Sequence, residues 1–178
     1  SFFANSNVPG LGTGSTVEGG SGADSITFNK AITSASVLGG AGNDSITFAG
    51  DFINSIASGD AGTDVLLFSS KVSASSVYGG GDKDTLTFNS SVLGATVDFG
   101  AGADSLFFTN TMTSTTLKGM AGADTMAFNS AAVLNAVRVA GGDNNDSVVF
   151  SAVFQSNSSV LGGSGADYLE FVKGATGV

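Results

Sequence analysis

The stretch VLGGAGNDSITF, residues 37–48, decides the fold of this chain. It places three glycines and Asp44 directly before a short segment in which apolar residues alternate with polar ones. Glycine permits a positive φ, so the hexamer GGAGND predicts a tight turn. The alternation that follows predicts a strand with one buried face. The segment therefore indicates a turn that leads into a half-buried strand.

The same pattern recurs at intervals of about 20 residues along nearly the whole chain. Each repeat contains one aspartate, at Asp24, Asp44, Asp64, Asp84, Asp104, Asp124, Asp146 and Asp167. Four residues after each aspartate is a phenylalanine, and apolar or small residues stand two residues after it and seven before it. A unit of this size cannot bury its apolar face alone, but stacked units form a continuous core. We therefore expect an all-β, right-handed parallel β-solenoid of about eight coils, with two short strands and two turns in each coil.

The repeat also divides the chain. Residues 1–16 are expected to be a lead-in segment or a partial first coil, and residues 17–178 a single β-solenoid domain. Eight residues after each aspartate is a further inward position, at Ile32, Phe52, Val72, Val92, Met112, Ala132 and Phe154. The extra residues near VLNAVRVAGGDNND (133–146) are expected to bulge from the second strand.

Composition excludes several classes of function. The chain has no cysteine and no histidine, so disulfides, thiolate metal sites and histidine-based catalysis are absent, and we expect no enzyme activity. The formal charge of -9 disfavours a nucleic-acid partner and favours cations. No apolar run is long enough to span a membrane, and the first residues lack the pattern of a signal peptide.

The turns resemble the GGxGxDxUx nonapeptide of RTX (repeats-in-toxin) proteins. The motif is complete in GGSGAD (19–24), GGAGND (39–44) and GGSGAD (162–167). The resemblance implies a parallel β-roll that binds Ca²⁺ between neighbouring turns, with up to seven sites in one column. It implies these metal-binding residues, through carboxylates and glycine-region carbonyls: Asp24, Asp44, Asp64, Asp84, Asp104, Asp124, Asp146, Asp167, Gly20, Gly22, Gly40, Gly42, Asp60, Gly62, Asp82, Gly102, Gly122, Asp143, Gly163 and Gly165.

Elementary electrostatics also favours a cation in this column. Carboxylates stacked about 4.8 Å apart would repel by roughly 3.5 kcal/mol for each adjacent pair at an effective dielectric constant of 20. The alternative is that the aspartates only hydrogen-bond a tight turn. Such a role would accept Asn or Ser in some of the eight positions, and neither occurs.

Five turns depart from the pattern, at Asp60, Asp82, Phe99, Met120 and Asn144, which stand where other repeats have glycine. The sites beside Phe99 and Met120 are the weakest expectations. The complete motif occurs once in each coil, whereas a typical β-roll repeats it every nine residues, so we expect calcium along one edge only.

These features favour a secreted, extracellular calcium-binding structural protein of a bacterial cell surface. It would fold and self-associate on calcium binding as a filament, surface layer or adhesive rod, and its sequence is similar to surface-layer and oscillin-like surface proteins. Paired hydroxyls such as Ser25 and Thr27 also resemble those of calcium-dependent ice-binding adhesins, although the columns lapse at Leu67 and Phe107. A third alternative is an export or folding module of a larger RTX toxin or hydrolase.

Overall fold

The chain forms a parallel β-solenoid of about eight coils, built from short alternating strands that are separated by turns. The computed structural model describes residues 4–8, 11–129, 131–155 and 157–172. Within these residues all regular structure is strand, and every strand pairing is parallel. The predicted fold class is thereby confirmed. Parts of the 1–16 lead-in and the end of the predicted domain lie outside the described residues.

The strands form three sheets that run along the solenoid. Sheet I contains Ala4–Val8 (β1), Ser25–Phe28 (β3), Ser45–Phe48 (β6), Val65–Phe68 (β9), Thr85–Phe88 (β12), Ser105–Phe108 (β15), Thr125–Phe128 (β18), Ser147–Phe150 (β21) and Tyr168–Phe171 (β24). Sheet II contains Thr16–Ser21 (β2), Ser36–Ala41 (β5), Ile56–Ala61 (β8), Ser76–Gly81 (β11), Thr96–Ala101 (β14), Thr116–Ala121 (β17), Arg138–Asp143 (β20) and Ser159–Ser164 (β23). Sheet III contains Ile32–Thr33 (β4), Phe52–Ile53 (β7), Val72–Ser73 (β10), Val92–Leu93 (β13), Met112–Thr113 (β16), Val133–Asn135 (β19) and Val153–Phe154 (β22).

Sheet III corrects the expectation of two strands in each coil. Its strands are two or three residues long, too short to produce a visible alternation in the sequence. Each contributes one buried side chain, such as Phe52 or Val72, to the core. The coil is therefore three-sided, and the residue eight positions after the aspartate lies on its third side.

The extra residues between Asp124 and Asp146 lie at a different place from the predicted one. β20 pairs in register with both neighbours in sheet II, so the second strand contains no bulge. The two additional residues lie instead between Phe128 and Val133, in the turn that leads from sheet I to sheet III. As a result Leu134, not Ala132, pairs with Met112, although Ala132 is buried as well.

A column of stacked phenylalanines fills the core along sheet I. Ring centroids are 5.5 Å apart for Phe28 and Phe48, 4.6 Å for Phe48 and Phe68, and 4.8 Å for Phe68 and Phe88, with interplanar angles of 10° or less. In the last coil the corresponding Phe171 is 44% exposed, because no described coil packs on its other side. The burial of the repeated apolar positions thus depends on the neighbouring coil. None of the described residues form a helix that could cross a membrane.

Candidate calcium column

The predicted glycine–aspartate turns connect sheet II to sheet I. Coils are numbered one to eight by their aspartates, Asp24 to Asp167, and positions are counted from that aspartate. At positions −4 and −2 the backbone has a positive φ in every coil, for example 104° at Gly40 and 125° at Gly42. Non-glycine residues adopt the same region where the motif departs: Asp60 (73°), Asp82 (69°), Met120 (77°) and Asn144 (80°). The turn therefore keeps its backbone geometry despite the substitutions.

The eight aspartates form a hydrogen-bonded ladder inside the solenoid. The backbone N–H of each aspartate donates to Oδ1 of the aspartate in the next coil, as from Asp24 to Asp44 at 2.8 Å and from Asp44 to Asp64 at 2.7 Å. All seven steps of the ladder measure between 2.7 and 3.0 Å. The structure thus brings the predicted carboxylates together in one column, from the first coil to the last.

The second carboxylate oxygen has no hydrogen-bond partner in the protein. This holds for the buried Oδ2 atoms of Asp24, Asp44, Asp64, Asp84, Asp104, Asp124 and Asp146. The side chains themselves are 0 to 6% exposed. A buried charged oxygen without a partner is strongly unfavourable, so a column of seven calls for a compensating proton or cation.

In six coils Oδ2 faces a backbone carbonyl of the next coil across the glycine at position −5. A Cβ added to Gly39 would stand 2.5 Å from Asp44 Oδ2 and 2.5 Å from the carbonyl oxygen of Gly59 in the next coil. At Gly19 the same point is 2.8 Å from Asp24 Oδ2 and 2.5 Å from Gly39 O. We call this arrangement of carboxylate, carbonyl and glycine a cradle. Six positions have it: Gly19, Gly39, Gly59, Gly79, Gly119 and Gly141.

The cradle fits calcium by the chemistry of its donors. Calcium prefers hard oxygen ligands, both carboxylates and backbone carbonyls, and each cradle directs one of each toward a common point. Among the described residues no three His, Cys, Asp or Glu side chains are close enough to hold a metal together. Most ligands of any ion in the column must therefore be backbone oxygens, as the glycine-rich sequence predicts.

A ladder of buried serines lies at the corner between sheets III and II. It shows how the fold satisfies a buried side-chain oxygen without a cation. Ser75 Oγ accepts the N–H of Ser55 at 3.1 Å and donates to the carbonyl of Ser73 at 2.8 Å. A hydroxyl can accept and donate, so both needs are met. Asn in place of the column aspartates would likewise accept through Oδ1 and donate through Nδ2. All eight column positions have aspartate and none has asparagine. This indicates that the second side-chain atom, Oδ2, must be an acceptor.

The surroundings of the column aspartates raise the pKa of their carboxyl groups. Burial raises the pKa of Asp64 to about 6 and the pKa of Asp84 and Asp124 to about 7. Burial likewise raises the pKa of Asp44, Asp104 and Asp146. Neighbouring carboxylates add to the rise at Asp64, Asp84 and Asp124, while the N–H donated along the ladder opposes it. Carboxylates held in this way favour a bound proton or cation over the free charge.

The additional predicted ligands lie toward the outside of the turn. Asp82 and Asp143 are exposed, and Asp60 is half-buried with its Oδ1 accepting a 2.5 Å hydrogen bond from Ser58 Oγ. The carbonyls at positions −4 and −2 point at the backbone of the next coil, as Gly20 O does at Gly40. Their roles as ligands stay predictions. The predicted glycines at these positions are Gly20, Gly22, Gly40, Gly42, Gly62, Gly102, Gly122, Gly163 and Gly165.

Sequence reasoning missed the glycines at position −5. Their φ is not in the left-handed region, so they are needed for space and not for a turn conformation. The available signal was their recurrence in seven of the eight hexamers. Their partner atom, a carbonyl 20 residues further along, becomes evident only when the coils are stacked.

Comparison with known proteins supports the calcium-binding character of the turn. Residues 36–53, which make up one coil around Asp44, match the family model of the RTX calcium-binding nonapeptide repeat (4 copies). The resemblance stated from the hexamers is thereby confirmed for this coil. No curated protein and no solved structure matches the chain. The recognised repeat is one that binds Ca²⁺ and is typical of extracellular proteins.

Proposed function

We propose that this protein is a secreted, calcium-dependent structural rod of a bacterial cell surface. One observation carries the proposal: seven buried aspartate oxygens lie in a column without a hydrogen-bond partner. Six of them share a cradle with a backbone carbonyl of the next coil. The RTX calcium-binding repeat at residues 36–53 supports the choice of Ca²⁺.

Calcium would be held by the column aspartates through Oδ2 and by the position −5 carbonyls of the following coil. When bound, it supplies the positive charge that the buried carboxylates lack and joins adjacent coils. The chain's own part is to fix the ligands in place. The N–H ladder orients each carboxylate, and the position −5 glycine leaves room beside it.

Folding and ligation are then coupled. Without calcium the fully ionised column opposes stacking, because like charges lie one above the other at every coil. With calcium the ligation energy becomes folding energy. A chain of this kind stays extended where calcium is scarce and folds where it is abundant, which suits a protein that is exported before it folds.

The test is a calcium titration of chelator-treated protein at about pH 8, where the column is ionised, followed by circular dichroism. We expect the β signal to appear cooperatively as calcium is added and to disappear on renewed chelation. Magnesium at the same concentration is the matched control, because it demands a smaller octahedral shell. A chain that folds equally well without calcium would show that the aspartates serve only the turn.

The assembly part of the proposal needs a separate measurement. Sheet I has exposed apolar side chains on its outer face, including Val65 at 44% and Phe107 at 46%. Exposed apolar residues on a rod favour contacts with another surface. Analytical ultracentrifugation with and without calcium should detect large particles only with calcium. A monomeric rod at all concentrations would instead favour the module of a larger toxin or hydrolase.

The same exposed residues argue against ice binding. A flat ice-binding face needs an unbroken array of hydroxyls, and Val65 and Phe107 interrupt both outward columns of sheet I. A measurement of thermal hysteresis in calcium tests this alternative. We expect no hysteresis beyond that of an equal mass of a control protein.

A further inference from the structure

Coil five differs from the other coils at position −5, where Phe99 takes the place of glycine. Phe99 is fully buried, so its side chain points into the solenoid. Its backbone keeps the usual place, because its carbonyl oxygen faces Gly79 as Gly59 O faces Gly39. A Cβ at position −5 would fill the cradle in six other coils, so the Cβ of Phe99 takes the corresponding place beside Asp104.

The aspartate of this coil is otherwise like its neighbours. Asp104 Oδ1 accepts the N–H of Asp84 at 2.7 Å, and the N–H of Asp104 donates to Asp124 Oδ1 at 2.8 Å. Its Oδ2 is buried without a hydrogen-bond partner. Coil five thus keeps the ladder and the carboxylate, and it loses only the space beside them.

Core packing changes in the same coil. The rings of Phe88 and Phe108 are 6.3 Å apart and inclined by 53°, and those of Phe108 and Phe128 are 6.2 Å apart and inclined by 58°. Beyond this coil the stack resumes, with Phe128 and Phe150 at 4.7 Å and 12°. The rotation of Phe108 is consistent with a second large ring inside coil five.

We propose that coil five holds no calcium in its cradle and that Phe99 divides the column into two separate blocks of sites. This inference rests on the proposed calcium function. The first block contains the cradles of Asp24, Asp44, Asp64 and Asp84, and the second contains those of Asp124 and Asp146. Between them the apolar packing of Phe99 joins the coils.

The decisive comparison is between two substitutions at one residue. Phe99→Gly removes the Cβ and restores the cradle, whereas Phe99→Ala removes the ring but leaves the Cβ in place. Bound calcium per chain is measured by equilibrium dialysis and elemental mass spectrometry, with circular dichroism to confirm the fold. We expect six ions for the wild type, six for Phe99→Ala and seven for Phe99→Gly. Equal binding by Phe99→Gly and the wild type would overturn the inference.

A variant with the opposite change keeps the inference testable if Phe99→Gly fails to fold. Gly59→Ala puts a Cβ into an existing cradle, against Asp64 Oδ2 and Gly79 O, and should remove one ion. Gly81→Ala is the matched control, because a Cβ there would meet only Asp60 O, at 3.9 Å, and should leave the count unchanged.

The outcomes separate this inference from the proposed function. A wild-type chain that binds no calcium contradicts the proposed function itself. A wild-type chain that binds calcium, with Gly59→Ala and Phe99→Gly both unchanged, contradicts only the role of the cradle and of Phe99. Seven ions in the wild type would also overturn the division into blocks.

Discussion

The N–H of Asp24 donates to Asp44 Oδ1 at 2.8 Å, while Asp44 Oδ2 is buried and has no hydrogen-bond partner in the protein. One oxygen of the same carboxylate thus maintains the stacking of two coils, and the other requires a proton or a cation. The two roles separate under mutation, because an amide can perform the first role but not the second.

Asp44→Asn should change stability in opposite directions with and without calcium. In calcium-free buffer at about pH 6, where part of the column is protonated and the chain can fold without the ion, the variant should be more stable by about 1–3 kcal/mol, because a neutral amide replaces a buried carboxylate that has an unsatisfied oxygen. In saturating calcium it should be less stable than the wild type and should bind one ion fewer. Urea denaturation in both buffers measures the effect. Asp98→Asn, on the outer face of sheet II, should behave alike in both, and stabilisation of Asp44→Asn in both would contradict the calcium assignment.

Calcium-free protein should lose stability as the pH rises. The pKa values of Asp64, Asp84 and Asp124 are raised to between about 6 and 7 in the folded chain, against about 3.9 for an unfolded aspartate. The folded state therefore binds more protons, and this contribution is full below about pH 4 and is lost as the pH rises through about 7.

The check is a melting series from pH 5 to pH 8 on protein freed of calcium by dialysis, since chelators weaken in acid. The melting temperature should fall across this range. In saturating calcium the stabilisation by the ion should grow with pH, because protons and calcium compete for the same oxygens. A calcium-free melting temperature that rises with pH would contradict the ionisation assigned to the column.

Met120→Gly should stabilise the folded chain. Met120 has a φ of 77° at a position where most coils have glycine, and its backbone pairing with Gly100 is missing from an otherwise regular register. Left-handed backbone costs a residue with a Cβ roughly 1–2 kcal/mol, so we expect a gain of about 1 kcal/mol in urea denaturation at constant calcium. Asn144→Gly is the control and should be close to neutral, because Asn tolerates this region. A loss of stability in Met120→Gly would mean that contacts of the Met120 side chain outweigh the strain of its backbone.

The serine ladder should contribute to stability whether or not calcium is present. Ser75→Ala leaves the buried N–H of Ser55 without an acceptor, which should cost about 1–3 kcal/mol. Ser69→Ala changes an exposed serine and should have little effect. Thermal melts in saturating calcium and in calcium-free buffer at about pH 6, where part of the column is protonated and the chain can fold without the ion, should give the same difference. A cost that appears in only one buffer would link this ladder to the ion column.

The regular part of the fold follows from the repeat. Asp44, Ile46 and Phe48 and their counterparts alternate strongly enough to predict both the strand and its buried face. The third sheet does not follow, because Phe52 and Ile53 form a strand too short for any periodicity. The position of the extra residues between Asp124 and Asp146 does not follow either, since spacing from the aspartate alone cannot distinguish Ala132 from Leu134 as the partner of Met112.

Only part of the candidate calcium column could likewise be predicted from the sequence. The column of aspartates could be predicted because each aspartate occupies the same place in its repeat. The space beside Gly39 could not, because it is bounded by Gly59 O, an atom of another coil. The sequence shows Phe99 as a departure from the motif. Its effect on the space beside Asp104 could not be predicted, because that space is also formed only when the coils are stacked.

The corner between sheets I and III tolerates additional residues without disturbing the stack. Between Phe128 and Val133 the chain has two extra residues at this corner, yet Phe128 and Phe150 remain stacked and β20 keeps its register. Exposed corners of this kind are where foreign sequence is best accepted. A peptide epitope grafted after Asn89 or Asn129 would be displayed on the same edge, at a distance set by the number of coils between the grafts. The solenoid thereby becomes a molecular ruler with increments of about 4.8 Å.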